Sequence, residues 1–144
     1  MKKSRRMNSL LKLAKNREQD AVSLLNRTRQ ELDEREGQLK ELQQFQRDYI
    51  NRLGSLGGNG ADMRKINEYR HFINQLSGAI TMQGQLLAES RKELALKSQS
   101  WREARIDSRV IGNYQERCRH QEHQALLKCE QKEADEKAQQ MKSK

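Results

Sequence analysis

Apolar residues recur along the first third of the chain at alternating intervals of three and four. The series runs from Leu11 through Ala14, Ala21, Leu25, Leu32, Leu39, Leu42, Tyr49 and Leu53 to Leu56, and it fills 10 of the 14 seam positions in seven heptads. A seam of this period predicts a helix that buries one stripe against a second helix, as in a coiled coil. Glu18, Thr28, Arg35 and Gln46 interrupt it, and the small Ala14 and Ala21 thin it toward the N-terminus.

The pattern breaks at Gly54-Ser-Leu-Gly57-Gly58-Asn59-Gly60, where four glycines in seven residues penalise helix and supply the backbone freedom a reversal needs. We expect helix one over about 4–53, a turn over 54–61 and helix two over about 62–140. Asn59 or Asp62 is placed to cap the second helix. The second seam passes through Ile66, Tyr69, Ile73, Leu76, Ile80, Leu87, Leu94, Trp101, Ala104, Ile111, Cys118, Ala125 and Cys129, filling 13 of 19 positions. Beyond Trp101 its residues become smaller and more polar.

A short connection between two helices with apolar stripes makes them antiparallel neighbours. The predicted fold is therefore all-α: a long antiparallel two-helix coiled coil, one helical hairpin over residues 1–144, with the second helix overhanging from about residue 112. Gly112 lies near the start of that overhang, which ends in a polar, charge-balanced run expected to fray or await a partner.

Composition agrees with this. The 144 residues are 34% charged and only 33% hydrophobic, with 4% aromatics and no proline, too little apolar matter for a two-layer core. No stretch approaches the roughly 20 apolar residues of a membrane span. Lys12 and Lys15 break the apolar run that a signal peptide would need, so the expected location is cytosolic.

The net charge of +9 is unevenly spread. Residues 1–17 hold seven basic and no acidic side chains, whereas residues 18–50 hold eight acidic and five basic ones. The stretch 104–120, which the hairpin sets beside the N-terminus, adds four basic and two acidic residues, so both strands of the open end are positive. Such an end suits nucleic acid, an anionic membrane surface or an acidic protein cavity. Nucleic acid is disfavoured, since no aromatics are interleaved for base stacking and no reading motif is present.

Candidate chemistry is sparse. Glu116, Cys118, His120, His123 and Cys129 are the one grouping with metal-ligand character, although reduced seam residues account for the cysteines. These cysteines lie roughly 16 Å apart along a helix, beyond disulfide reach. The glycine cluster lacks the lysine of a phosphate loop, and a helix pair offers no enclosed cavity, so neither catalysis nor a cofactor is expected.

A more specific signal stands beside the seam. Gln38, Leu42, Phe45 and Tyr49 follow the spacing i, i+4, i+7, i+11, and Phe72, Leu76, Ala79 and Gln83 repeat it on helix two. Antiparallel pairing sets Tyr49 against Phe72, Phe45 against Leu76, Leu42 against Ala79 and Gln38 against Gln83, close to the register that the turn imposes. One reading is a slightly wide core near the turn. The other is a partner surface, because Phe45 and Phe72 lie just outside their seams and two helices shield only their shared face.

Gly58-Asn59-Gly60 followed by Ile66-Asn67, Tyr69, Phe72-Ile73, Leu76 and Ala79-Ile80, with a second anchor in Trp101-Arg102-Glu103, resembles the FliJ family of the bacterial flagellar type III export apparatus over nearly the whole chain. The resemblance implies an antiparallel coiled coil similar to the central stalk of rotary ATP synthases. In that family the open end inserts into the hexameric export ATPase, while the protein also contacts a membrane export-gate protein and escorts export chaperones. It maps the gate-binding surface onto Gln38, Leu42, Phe45, Tyr49, Phe72, Leu76, Ala79 and Gln83. Gln83 departs from the family pattern, which can carry a histidine there.

The expectation is thus a non-enzymatic stalk and adaptor, cytoplasmic and held peripherally at the inner membrane through its partners, serving flagellum biogenesis, motility and chemotaxis. Arg5, Arg6, Lys12, Lys15 and Arg17 would steer its open end into the ATPase ring by their field. A general coiled-coil chaperone or adaptor for export substrates is the alternative. A DNA-binding zipper fits less well, because the glycine turn interrupts the continuous seam a zipper needs.

Overall fold

The computed structural model describes residues 3–58 and 62–143. Two helices account for almost all of them: α1, Lys3–Gly58, and α2, Met63–Lys142, packed against each other as an all-α helical hairpin with no strand among the described residues. Helix α1 does not stop at Leu53. It continues through Gly54 and Gly57 to Gly58, so residues 54–58 of the expected turn over 54–61 are helical. A helical glycine costs only about 1 kcal/mol relative to alanine, which an established helix tolerates. Asn59 lies outside the described residues. Asp62 does cap α2: its Oδ1 accepts from the Arg64 amide at 3.2 Å, and its carbonyl accepts from the Lys65 and Ile66 amides at 3.0 and 3.2 Å.

The packed helices divide into two units. One is Ser23–Gln99, where the seam is apolar. Leu25, Leu76 and Leu87 are buried, and Leu32, Leu39, Leu42, Ile73, Ile80 and Leu94 are half-buried around them. Two of the seam interruptions are satisfied here. Thr28, buried, donates its hydroxyl to the Leu24 carbonyl at 2.9 Å. Gln46 reaches across to α2, donating to the Ser77 hydroxyl at 2.5 Å and the Ile73 carbonyl at 3.3 Å. Glu36 and Arg91 add an exposed ion pair at 3.4 Å.

The other unit joins the residues up to Val22 to those from Ser100 onward, and its interior is largely polar. Ala14 and Cys118 are buried beside Ser4, Ser108 and Gln115. Glu18 accepts a hydrogen bond from Ser108 at 2.7 Å, and Gln115 donates to the Ser4 carbonyl at 3.0 Å and to the Asn8 side chain. The Glu122 carboxylate receives both the amide of Ser4, at 3.2 Å, and its hydroxyl, at 2.6 Å. A carboxylate there satisfies a free amide of the first turn of α1 and complements the positive end of the helix.

Packing between the helices therefore extends to Glu122, further than the overhang expected from about residue 112. Gly112 is part of the packed region: a Cβ at that position would meet Leu11 Cδ1 at 3.7 Å. From His123 onward every described residue is exposed, including Ala125 and Cys129, so the second seam ends at Glu122 rather than Cys129.

Candidate interaction surfaces

In the apolar unit, Tyr49 projects from α1 between two rings of α2. Its ring centroid lies 4.6 Å from Phe72, tilted by 57°, and 5.7 Å from Tyr69, tilted by 49°. Arg52, three residues after Tyr49, holds its guanidinium 5.3 Å from the same ring, a cation–π arrangement. The pairing of Tyr49 with Phe72 follows the register read from spacing. Phe45 is 56% exposed and Phe72 39% exposed, so both aromatic residues outside the seam present surface to solvent.

The remaining members of the two stripes divide between core and surface. Leu76 is buried, Leu42, Tyr49, Ala79 and Gln83 are half-buried, and Gln38 is exposed. Gln83 keeps its Oε1 buried with no hydrogen-bond partner among the described residues. Tyr69, a seam residue by its spacing, and Arg52, outside both stripes, complete the cluster around Tyr49. The signal for both is their position three residues from a stripe aromatic, one helical turn away on the same face.

In the polar unit, Arg5, Arg6, Lys12, Lys15 and Arg17 are all exposed on α1. On α2, Arg105, Arg109, Arg117 and Arg119 are exposed too. Arg105 lies over the Trp101 ring, 5.4 Å from its centroid, and Arg119 approaches Asn8 Oδ1 at 3.4 Å. The positive charge therefore sits outside while the polar seam is satisfied inside. Cys118 is buried, whereas Glu116, His120, His123 and Cys129 point to solvent, and no three potential metal ligands converge among the described residues. None of the helices is long and apolar enough to cross a membrane, among the described residues.

A chain whose two long helices bury one shared stripe, with exposed aromatics in one unit and exposed basic residues in the other, belongs to the class of helical-hairpin coiled coils. The family model described as Flagellar FliJ protein matches residues 2–144. The chain is 34% identical over 134 residues to the Flagellar FliJ protein of Escherichia coli (strain K12), covering 91% of this chain and 89% of that one. It is 32% identical over 136 residues to the Flagellar FliJ protein of Salmonella typhi, covering 92% and 90%. No solved structure matches the chain. The chain belongs to the FliJ family and is a component of the flagellar export apparatus.

Proposed function

We propose that this chain acts without catalysis as the central stalk of the flagellar export ATPase ring. It promotes ring assembly and activity, couples the ring to the membrane export gate and escorts export chaperones. The observation that carries the reading is the aromatic patch. Phe45 and Phe72 stay exposed although a seam lies beside them, and Tyr49 holds Phe72 from behind. Exposed aromatics buttressed by their neighbours are typical anchors for a partner, here the gate protein.

The open end serves the ATPase. Arg5, Arg6, Lys12, Lys15 and Arg17 are free to steer it electrostatically, and its small or polar seam residues, Ser4, Ala14, Ala21 and Ser108, keep that end slim. Association with the inner membrane then follows from the partners. The test is ATP hydrolysis by the purified export ATPase with and without this protein. Stimulation that disappears when the five basic residues are reversed supports the stalk. Absence of stimulation, with chaperone complexes still forming, supports a general export adaptor instead.

A further inference from the structure

Beyond Glu122, α2 runs on as an uncovered helix to Lys142, yet its sequence is patterned. Leu127, Gln131, Ala134, Ala138 and Met141 recur at intervals of four and three, the period of a coiled-coil seam. Of these, Leu127 is 50% exposed and Met141 81%. At about 100° per residue, this second stripe lies roughly 100–180° around the helix from Glu122, which meets α1 through Ser4. A further helix can lie on the stripe without touching α1.

Every charge of the tail has a place in this frame. Lys128, Asp135 and Lys142 flank the stripe on one side, and Glu130 and Lys137 flank it on the other. Lys132, Glu133 and Glu136 fall on the outer face. Among the described residues, none of the five flanking groups is ion-paired within its own chain.

We propose that this chain pairs with a second copy through residues 123–142, the two tails running antiparallel about a two-fold axis. In an antiparallel pair each flank faces the same flank of the other helix. Placing Leu127 against the partner's Ala138, and Gln131 against the partner's Ala134, sets each longer side chain on an alanine. In that register Lys128 faces the partner's Asp135 and Glu130 faces the partner's Lys137. The two-fold axis repeats both contacts, giving four attractive pairs, and it closes the assembly as a dimer rather than a filament.

The neighbouring alignments are repulsive. Sliding the tails by one heptad in one direction brings Lys128 onto its own copy and Glu130 onto its own copy. Sliding them in the other direction does the same with Asp135 and Lys137. An in-register parallel pair sets Glu130 against the partner's Asp135 and Lys137 against the partner's Lys142. The favoured register also uses the whole free helix: the partner's Lys142 comes level with His123, one residue short of the contact between Glu122 and Ser4.

Sedimentation equilibrium of the full chain tests this, with circular dichroism as the folding control and reducing buffer to keep the exposed Cys129 from cross-linking chains. The wild type is expected to show a reversible monomer–dimer equilibrium that weakens as salt rises. Lys128→Glu or Asp135→Lys alone turns two attractive pairs repulsive and should weaken pairing at least about tenfold, with helicity unchanged because both residues are exposed. The two substitutions together in one chain restore opposite charges and should return affinity to within about threefold of wild type. Leu127→Glu, which no charge swap rescues, should abolish pairing. A strictly monomeric wild type, a dimer indifferent to the single reversals, or a double variant no tighter than the singles would overturn the proposal.

Discussion

Gln115 offers a direct measure of what holds the chain's two ends together. It is 3% exposed and donates from one amide nitrogen to the Ser4 carbonyl and to the Asn8 side chain. Gln115→Ala removes one buried methylene, about 0.8 kcal/mol, and two hydrogen bonds with a net value of about 1 kcal/mol each, for a total of about 3 kcal/mol. Gln115→Leu loses the same hydrogen bonds but buries a side chain of similar size, a gain of about 1.5 to 3 kcal/mol. The acceptors left behind remain usable, because Asn8 is exposed to water. The leucine variant should therefore lie within about 1 kcal/mol of wild type, at least about 2 kcal/mol above the alanine variant. Amide hydrogen exchange of residues 3–22 reads this locally, protection factors converting at 1.4 kcal/mol per decade. If leucine is as damaging as alanine, the hydrogen bonds themselves, rather than volume in the seam, hold this unit together.

Other expectations follow from the same geometry. Phe72→Ala should cost about 2 kcal/mol in a thermal or urea melt, below the 3 to 5 of a buried phenylalanine because 39% of the residue is already exposed. Gate binding per folded molecule should fall by about 2 kcal/mol or more, and unchanged binding would reduce the patch to core. Gly37→Ala and Gly78→Ala should each stabilise the helix by up to about 1 kcal/mol in the same melts, since an added Cβ meets nothing within 4 Å. Reversing Arg5, Arg6, Lys12 and Lys15 should weaken ATPase binding and flatten its salt dependence with little change in helicity; if neither changes, that charge is only a solvated face.

Periodicity made the seam legible in detail: Leu25, Leu76 and Leu87, chosen for spacing alone, are buried. The stripe register was legible too, and Tyr49 does meet Phe72. The end of α1 was harder to read. The same glycines that permit a turn are also tolerated in a helix at about 1 kcal/mol each, so composition alone does not fix where α1 stops. Glu18 and Gln46 were visible as interruptions, yet their partners, Ser108 and Ser77, become evident only once the helices are set side by side. The start of the overhang is hidden in the sequence for the same reason, since the contact of Glu122 with Ser4 is made between residues 118 positions apart.

The polar pairs bear on how the chain avoids misassembly. Leucine repeats at Leu25, Leu32 and Leu39 on α1, while Ile80, Leu87 and Leu94 repeat on α2. Sliding one helix by seven residues exchanges one such apolar side chain for another at little cost. The same slide sets the carboxylate of Glu18 against Trp101 or Gln115 and deprives Ser108 of its acceptor, leaving buried polar groups unmatched. Within the unit of the chain's two ends, a slide is therefore penalised directly by its polar pairs. Each unit thus carries its own polar check on alignment, Glu18 with Ser108 in one and Gln46 with Ser77 in the other.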